Sequence, residues 1–286
     1  MSPRRALLAV LLLLILLLAA ASLPRHCRTA ARRQSSCQAN LAEIARACKQ
    51  YAADHNDLLP GYEGGVVSDL RNYAEVRQAM AHPLQALSGY FPPEVEPVWT
   101  CPASHSIASR TGSSYLFAGF GTRGVEPLSA YDPALIPVAW DLTPSHPGRT
   151  RDVAFLDGHV EPFPAADTVL VSPRKPWAGR SGLYLSKGQA FTLSAGGQWV
   201  YNFEPPFTDI MPPVGIGPEH PEYLCPTLPR SALVARVGDG EPFLVGYGGT
   251  FLANASGELV FSMNETDQLP RYFDDNRGLM WVFVRR

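Results

Sequence analysis

Oxygen-bearing side chains cluster just before the last apolar run of the chain. The segment R-Y-F-D-D-N-R-G, residues 271–278, places Asp274, Asp275 and Asn276 between an aromatic pair and a glycine. Carboxylate and amide oxygens are the ligands that Ca²⁺ prefers in proteins. Asp and Asn are equally ordinary turn residues. The segment therefore predicts either a polar turn before a final strand or one wall of an oxygen cage for a metal ion.

Other chemical motifs in the chain are weak or stand in the wrong context. The G-x-G-x-x-G pattern at Gly119–Gly124 leads into Val-Glu-Pro and not into a helical pattern, which argues against dinucleotide binding. A further set has residue types that ligate metals or exchange protons: Asp141, His146, Asp157 and His159. Asp157, however, is explained by the hairpin turn that Asp-Gly predicts, and His159 falls at a strand start. No G-x-S-x-G, H-E-x-x-H or P-loop occurs, so we predict that the protein is not an enzyme.

The composition limits both the partners and the architecture. The 286 residues are enough for two domains of ordinary size, and the formal net charge of −2 gives no sign of a nucleic-acid partner. The 27 prolines are spread along the chain, which favours short strands and many turns over long helices. We therefore expect a two-domain, β-rich protein that does not bind nucleic acid.

The N-terminus has the pattern of an export segment. Arg4 and Arg5 precede an unbroken apolar run from Ala6 to Ala21, which ends in three small residues that suit a cleavage site. Residues 1–27 are thus predicted to be either a cleaved signal peptide or a retained membrane anchor, and both alternatives stay open. We expect an extracytoplasmic protein, in the periplasm or at the cell surface, that is membrane-anchored through this segment if it is uncleaved and otherwise secreted.

The cysteine count permits disulfides without assigning them. Export to an oxidising compartment makes disulfides permissible. The chain has five cysteines, so at least one is unpaired within the chain or paired to a partner: Cys27, Cys37, Cys48, Cys101 and Cys225. No C-x-x-C occurs, which gives no support to a structural zinc site or to thioredoxin-like chemistry.

One segment has a strong helical pattern. Its apolar residues recur at steps of four and three and form a stripe on one helical face: Cys37, Leu41, Ile44, Cys48 and Tyr51. Asp54 to Asp57 and Pro60 end the pattern. The length and the stripe predict a helix that lies across a sheet.

Most of the remaining chain has the pattern of short strands. The segment V-S-P-R-K-P-W, residues 171–177, carries prolines and basic residues and is the best linker candidate. After it, short β-type runs alternate with turn signals and no helical pattern appears, which predicts a sandwich or barrel. We therefore predict an N-terminal domain over 28–170, a linker over 171–176 and a C-terminal β domain over 177–286.

The N-terminal half resembles the pseudopilin-like proteins that carry an H-x9-D-G motif. Four segments over roughly residues 30 to 165 follow that family's order: C-Q-A-N-L-A-E-I-A-R-A-C-K-Q-Y-A-A-D-H-N-D-L-L-P, W-T-C-P-A-S, S-S-Y and F-L-D-G-H-V-E. The resemblance implies an α+β fold in which a long helix packs on an antiparallel sheet, and assembly with pilin-like proteins. The sequence departs from the family in that ten residues, and not nine, separate His146 from Asp157-Gly158. The G-F-T-L-I-E processing signal is also missing, which favours an anchored or secreted monomer.

Residues 177–286 resemble the PA-IL-type galactophilic lectin domain over nearly their whole length. The similar segments include W-A-G-R-S-G-L, G-Q-A-F-T-L-S-A-G-G-Q-W-V-Y, E-H-P-E-Y-L-C, A-L-V-A-R-V-G-D-G, S-G-E-L-V-F-S-M-N-E and R-Y-F-D-D-N-R-G. The resemblance implies an all-β jelly-roll sandwich that binds Ca²⁺ and, through it, a galactose-like carbohydrate.

The resemblance also implies which residues form the site. The expected calcium ligands are Tyr201, Asn264, Glu265, Arg271, Asp275 and Asn276. Of these, Tyr201 and Arg271 are expected to contribute their backbone carbonyls. The expected sugar contacts are His220, Pro221, Tyr223, Glu265 and Asp275. Glu265 and Tyr223 depart from the Asp and Gln of the family, which makes galactose preference less secure, and Asp274 has no assigned role.

These patterns together predict an exported, membrane-tethered protein that binds carbohydrate through Ca²⁺. One alternative is a structural component of a pilus or secretion apparatus, with the sandwich as a docking module. A second is a glycan-active enzyme with an accessory sandwich, which would need a pair of carboxylates about 5–10 Å apart in the first half.

Overall fold

The computed structural model describes residues 3–61, 66–92, 98–118, 127–201, 210–217, 219–266 and 271–286. Side chains are described within these ranges from residue 29 onward, together with that of Leu12 and without that of Arg271. The Gly119–Gly124 motif lies outside the described residues. The helices are α1 (Pro3–Asp54), α2 (Tyr73–Ser88), α3 (His105–Thr111) and α4 (Arg271–Asp274).

The strands are short and outnumber the helices. Those of the first half are β1 (Tyr115–Phe117), β2 (Pro137–Asp141), β3 (Thr150–Phe155), β4 (Val160–Pro164) and β5 (Thr168–Val171). Those of the second half are β6 (Gly179–Leu185), β7 (Ala190–Val200), β8 (Ile210–Met211), β9 (Leu233–Val237), β10 (Phe243–Leu244), β11 (Gly248–Leu252), β12 (Gly257–Met263) and β13 (Arg277–Arg285).

The N-terminal half is a helix laid on an antiparallel sheet in the order β1-β2-β3-β4. The apolar stripe of α1 is buried at Cys37, Leu41 and Ile44, each 0% exposed, because it faces that sheet. A helix over an antiparallel sheet occurs in proteins of many functions, so the pseudopilin-like assignment stays a prediction. In the part of the chain that the structure describes, no helix combines the length and the apolar character that crossing a bilayer requires.

A disulfide joins α1 to the segment before α3. It links Cys37 to Cys101, both completely buried. Cys48 and Cys225 are free and buried, and burial raises the pKa of the Cys48 thiol to about 12 and that of Cys225 to about 11. These two thiols are therefore protonated and unreactive at neutral pH. The side chain of Cys27 lies outside the described residues.

The C-terminal half consists of two facing antiparallel sheets. One has the order β10-β9-β12-β6, and the other has the order β11-β7-β13-β5 with β8 paired to β7. Their inner faces share one apolar core that includes Phe191, Leu193, Phe261 and Met263. The described chain is thus mixed α/β, mostly β, with antiparallel sheets, as its pattern of short strands predicts. The strand β5 ends at Val171, so the predicted domain boundary falls inside a sandwich strand.

The last strand, β13, is buried on both faces. Its even-numbered residues Met280, Val282 and Val284 belong to the core between the two sheets. Its odd-numbered residues, among them Trp281 and Phe283, belong to the core of the N-terminal half. Successive side chains of a strand point to opposite faces, so an uninterrupted apolar run is what a strand between two cores requires.

The N-terminal sheet approaches the sandwich most closely at Gly196 of β7. A Cβ atom at Gly196 would lie 3.0 Å from Pro137 Cγ and 3.0 Å from Trp140 Cζ3 of β2. The Trp140 ring in turn lies 6.0 Å from that of Trp281 and 5.6 Å from that of Phe283, between ring centroids. The two halves therefore share one packed interface.

We predict that Gly196→Val lowers the free energy of unfolding by about 1–3 kcal/mol, because its methyl groups would overlap Pro137 and Trp140. Chemical denaturation of the full chain measures the change. The control is Gly89→Val, at an exposed position where a Cβ meets no atom within 4 Å and where we expect a change below about 0.5 kcal/mol. Equal effects at both positions would contradict the interface described above.

Candidate functional site

The pairing of β7 with β13 sets one wall of the site. Arg277 pairs with Val200, so the turn before β13 lies beside Tyr201 at the end of β7. Gly278 adopts φ +104°, and a Cβ there would lie 2.4 Å from the Gln198 carbonyl oxygen, which only glycine avoids. This close approach holds residues 274–276 against the end of β7.

The turn itself follows a single helical turn, α4, whose first residue is Arg271. Asp274 ends α4, its side chain is exposed, and its carbonyl oxygen accepts a 2.7 Å hydrogen bond from Arg277 Nη1. Asp274 thus closes the turn through its backbone, which accounts for the residue that the sequence pattern leaves without a role.

A second wall comes from the loop around His220, which is hydrogen-bonded to the chain just after β12. Tyr223 forms an antiparallel bridge with Thr266, and Leu224 N donates to the Glu265 carbonyl oxygen at 3.0 Å. This backbone pairing brings two segments together that lie about forty residues apart in sequence. It explains why His220, Tyr223 and Glu265 meet although no local pattern relates them.

The two walls enclose a cavity of about 320 Å³. Its lining is formed by Tyr201, His220, Glu222, Tyr223, Arg230, Glu265, Thr266, Tyr272 and Asp275. Five residues of the predicted site are among these: Tyr201, His220, Tyr223, Glu265 and Asp275. Pro221, Asn264 and Asn276 do not line the cavity, and the Arg271 side chain lies outside the described residues.

Asn264 has a structural role that the sequence pattern does not reveal. Its side-chain oxygen accepts a 2.9 Å hydrogen bond from Cys225 N, and its amide group donates to the carbonyl oxygens of Cys225, Leu228 and Pro229. The residue is 0% exposed. Asn264 therefore holds the loop after Tyr223 in place, and its oxygen is engaged with backbone and not turned into the cavity.

Asn276 presents an oxygen in the way that a metal ligand would. It is 0% exposed, and its Nδ2 donates to the Pro173 carbonyl oxygen at 3.1 Å, which ties the predicted linker to the turn. Its Oδ1 is buried and accepts no hydrogen bond within the described part of the chain. A buried acceptor without a donor is costly unless another group satisfies it.

The electrostatics of the cavity favour a positively charged ligand. Burial raises the pKa of the Glu265 carboxyl, and the negative charge of Asp275 raises it further. Hydrogen bonding from Thr266 N, at 3.0 Å, and the charge of Arg230 act in the opposite direction. Two neighbouring carboxylates that resist ionisation together are stabilised by a cation between them.

Four residues of the lining are not in the predicted site: Glu222, Arg230, Thr266 and Tyr272. Arg230 is the one among them that brings a positive charge. Its guanidinium stacks on the Tyr201 ring, 4.2 Å from the centroid, and donates to the Tyr201 hydroxyl at 3.1 Å. A backbone bridge to Ile216 positions it, and no local pattern signals this contact. Arg230 partly neutralises the carboxylates and so competes with any bound cation.

His220 is set up to donate a hydrogen bond. Glu222 N donates to His220 Nδ1 at 3.3 Å, so the neutral ring carries its proton on Nε2. The rings of His220 and Tyr223 lie 5.3 Å apart and form an aromatic rim. A polar donor beside aromatic faces is the arrangement that sugar binding requires.

The residues present fit a hard divalent cation in part. Glu265, Asp275 and Asn276 offer side-chain oxygens and Tyr201 a backbone carbonyl, which is the donor set that Ca²⁺ takes. Asn264, with its oxygen bonded to Cys225 N, does not fit the role of a ligand. The predicted set is therefore reduced by one residue, and Arg230 lowers the attraction for the ion.

Comparisons with known proteins add little to this description. The chain matches no protein-family model, and it matches no curated protein. A solved structure to which it is similar is the EclA N-terminal domain, a PllA-like lectin, with 25% identity over 42% of this chain and 94% of that one. The TM-score is 0.34, which does not define a common fold.

We predict that Asn264→Ala lowers the free energy of unfolding by about 1–3 kcal/mol in EDTA and by the same amount in Ca²⁺, because it leaves Cys225 N without an acceptor. Denaturation in both buffers measures the change. The exposed Asn254→Ala, which removes a single bond to the Glu241 carbonyl oxygen, is the control and should change little. A loss of stability seen only in Ca²⁺ would instead make Asn264 a ligand.

A second prediction concerns Glu265, whose pKa in the folded chain lies above its ordinary value of 4.5. A raised carboxyl pKa means that folding is disfavoured as the pH rises through it and the charge appears. In EDTA, Glu265→Gln should therefore be more stable than the unmodified chain at neutral pH, with the difference vanishing as the pH falls below 4.5. Denaturation over a pH series, with the exposed Glu241→Gln as control, checks this; a difference that grows in acid would contradict it.

Proposed function

We propose that the protein binds carbohydrate through Ca²⁺ in the cavity between Tyr201, His220 and Asp275. The observation that carries the proposal is that five residues assigned to such a site by sequence pattern line one cavity of about 320 Å³. They come from four separate segments, so chance proximity along the chain does not explain their meeting. A volume of this size suits one sugar ring.

The calcium ligands in this proposal are Glu265, Asp275 and Asn276, with backbone carbonyls of Tyr201 and Arg271. A bound Ca²⁺ supplies open coordination positions that sugar hydroxyl oxygens occupy. The carboxylate at Asp275, where the lectin pattern has an amide, strengthens the attraction for the ion and offsets the opposing charge of Arg230.

The sugar contacts in this proposal come from the rim of the cavity. His220 Nε2 donates to a hydroxyl group, and Tyr223 and Tyr272 offer ring faces to the apolar side of a sugar. A galactose-like sugar is the first ligand to test, since the resemblance of residues 177–286 names that class. Tyr223 and Glu265 stand where that pattern has Gln and Asp and would alter the preference.

The N-terminal half has a supporting role in this proposal. The apolar run after Arg4-Arg5 exports the chain and, if retained, tethers it, so that the helix-and-sheet half presents the sandwich outside the cytoplasm. The pseudopilin-like pattern further suggests assembly with pilin-like proteins. Several displayed copies would compensate for the weak affinity expected of a single monosaccharide site. The protein acts by binding and not by turnover.

Calorimetry of the full chain tests the proposal. We expect Ca²⁺ at about one hundred times its Kd to raise the free energy of unfolding by about 2.7 kcal/mol, and EDTA to abolish sugar binding. Asp275→Asn should weaken Ca²⁺ binding at least tenfold, which corresponds to about 1.4 kcal/mol. The matched control is Asp274→Asn, one residue away in the same turn but exposed, which should bind Ca²⁺ as the unmodified chain does.

The sugar step is tested separately by a glycan array probed with and without EDTA. His220→Ala should lose the glycan and keep Ca²⁺, because the histidine touches only the sugar in this proposal. Glycan binding that is indifferent to EDTA would overturn the calcium mechanism. Absence of any glycan ligand, with Ca²⁺ bound normally, would leave a docking module as the better explanation.

A further inference from the structure

A second group of ionisable side chains meets in the N-terminal half, far in sequence from the proposed sugar site. Asp141 lies at the end of β2, Asp152 lies in β3, and His146 lies in the loop between these strands. His146 Nε2 is 2.9 Å from Asp141 Oδ2 and 3.4 Å from Asp152 Oδ2. By contrast, Asp157 and His159 form a separate pair at the hairpin turn, well exposed to solvent.

All three side chains of this group are completely buried, with 0% exposure. Three of their polar atoms make no hydrogen bond within the described residues: Asp141 Oδ1, His146 Nδ1 and Asp152 Oδ2. Buried polar atoms are nearly always satisfied, and buried carboxylates are normally paired or bound to a metal. The cluster therefore has unused capacity to bind a ligand.

The surroundings orient the carboxylates and supply little positive charge. From α1, the amide groups of Gln34 and Gln38 donate to Asp152 Oδ1 at 3.2 and 3.3 Å. From β3, Asp152 N donates to Asp141 Oδ2 at 2.8 Å. These bonds leave Asp152 Oδ2 and Asp141 Oδ1 without a hydrogen-bond donor among the described residues. Such supporting hydrogen bonds are typical of residues that hold metal ligands in position.

Arg151, which precedes Asp152 in β3, is a buried permanent cation whose hydrogen bond and ring contact are directed away from the cluster. It donates to the Leu142 carbonyl oxygen at 3.4 Å and stacks on the Trp281 ring at 4.4 Å. Within the described residues, no ion pair joins it to either carboxylate of the cluster. Burial and the charge of Asp141 both raise the pKa of Asp152, in keeping with two negative groups that lack a full counterion.

We propose that Asp141, His146 and Asp152 form a binding site for a divalent transition-metal ion, for which Zn²⁺ is the best fit. Zn²⁺ binds imidazole nitrogen and carboxylate oxygen at about 2.0–2.2 Å, which places the ligand atoms of a tetrahedral site about 3.3 Å apart. The observed separations of 2.9 and 3.4 Å lie close to that spacing. The imidazole ligand disfavours Ca²⁺ and Mg²⁺, which take oxygen.

The fold offers a rigid frame for the ion, and a cavity adjoins that frame at His146. The Cys37–Cys101 disulfide lies beside the cluster, with Cys101 Sγ 3.8 Å from His146 Nε2, and it anchors α1 above the sheet. His146 also lines a cavity of about 720 Å³ together with Gln34 and Ser145.

The competing explanation is a proton in place of the metal. A protonated His146 between the two carboxylates would form a buried ion triad without any metal. Burial lowers the pKa of His146, but the contact with Asp141 and the charge of Asp152 outweigh burial and raise it overall. Metal binding and protonation therefore compete, so the test is made at neutral pH and above.

The test uses the full chain with its disulfide intact, stripped of metal with EDTA and then titrated with Zn²⁺. His146→Gln and Asp152→Asn should each weaken one Zn²⁺ equivalent on the order of 100-fold or more. The matched control is Asp157→Asn, which removes a carboxylate that contacts an exposed histidine and should leave Zn²⁺ binding unchanged. Asp275→Asn should also retain this equivalent, which separates the site from the sugar cavity.

A spectroscopic measurement on the unmodified chain covers the case in which the variants fail to fold. X-ray absorption of the Zn²⁺-loaded chain should show a first shell of nitrogen and oxygen only, at about 2.0–2.2 Å. Sulfur in the first shell would overturn the proposal, as would Zn²⁺ binding that survives in a folded His146→Gln chain. The unmodified chain could instead bind a single Zn²⁺ equivalent that Asp275→Asn abolishes, which would place the metal in the cavity at Asp275. That outcome would overturn the proposal and favour the protonated triad.

Discussion

Pairing of β13 with β7 is the interaction on which the rest of the molecule depends. One face of β13 fills the core of the sandwich, and the other carries Trp281 and Phe283 into the core of the N-terminal half. The same register places Arg277 beside Val200, so the turn that precedes β13 meets the end of β7. The core, the contact between the halves and one wall of the cavity at Asp275 are therefore set by a single ladder of hydrogen bonds.

Both candidate sites pose the same electrostatic problem, which is the burial of two carboxylates in one place. In the cavity, the charge of Arg230 partly offsets that of the Glu265 carboxylate, beside which Asp275 also lies. In the N-terminal cluster, Asp141 and Asp152 have a histidine between them. Because an uncompensated buried charge costs several kcal/mol, each pair needs a proton, an arginine or a metal ion.

Much of the architecture is predictable from local patterns. The stripe from Cys37 to Cys48 predicts a helix with one buried face, and the short apolar runs predict strands. Both predictions succeed because the spacing of apolar residues in a helix or a strand is a local property of the chain. The apolar run after Gly278 predicts a strand. The run does not show that this strand lies between two cores, because that depends on segments distant in sequence. The local sequence likewise does not predict that the residues before Val171 belong to the sandwich. The reason is that β5 joins it by pairing with β13, more than a hundred residues away.

The sequence by itself determined which oxygen donors and aromatic residues are available. The resemblance of residues 177–286 to a known domain implied that Glu265, Asp275 and His220 belong to one site. Only the tertiary structure decided which side chains turn inward. It directs the Asn264 oxygen to Cys225 N, brings Arg230 onto Tyr201 and joins Asp152 to Asp141 and His146. The physical reason is that side-chain direction follows from backbone pairing between distant segments and from the need to satisfy buried polar atoms, and residue spacing records neither.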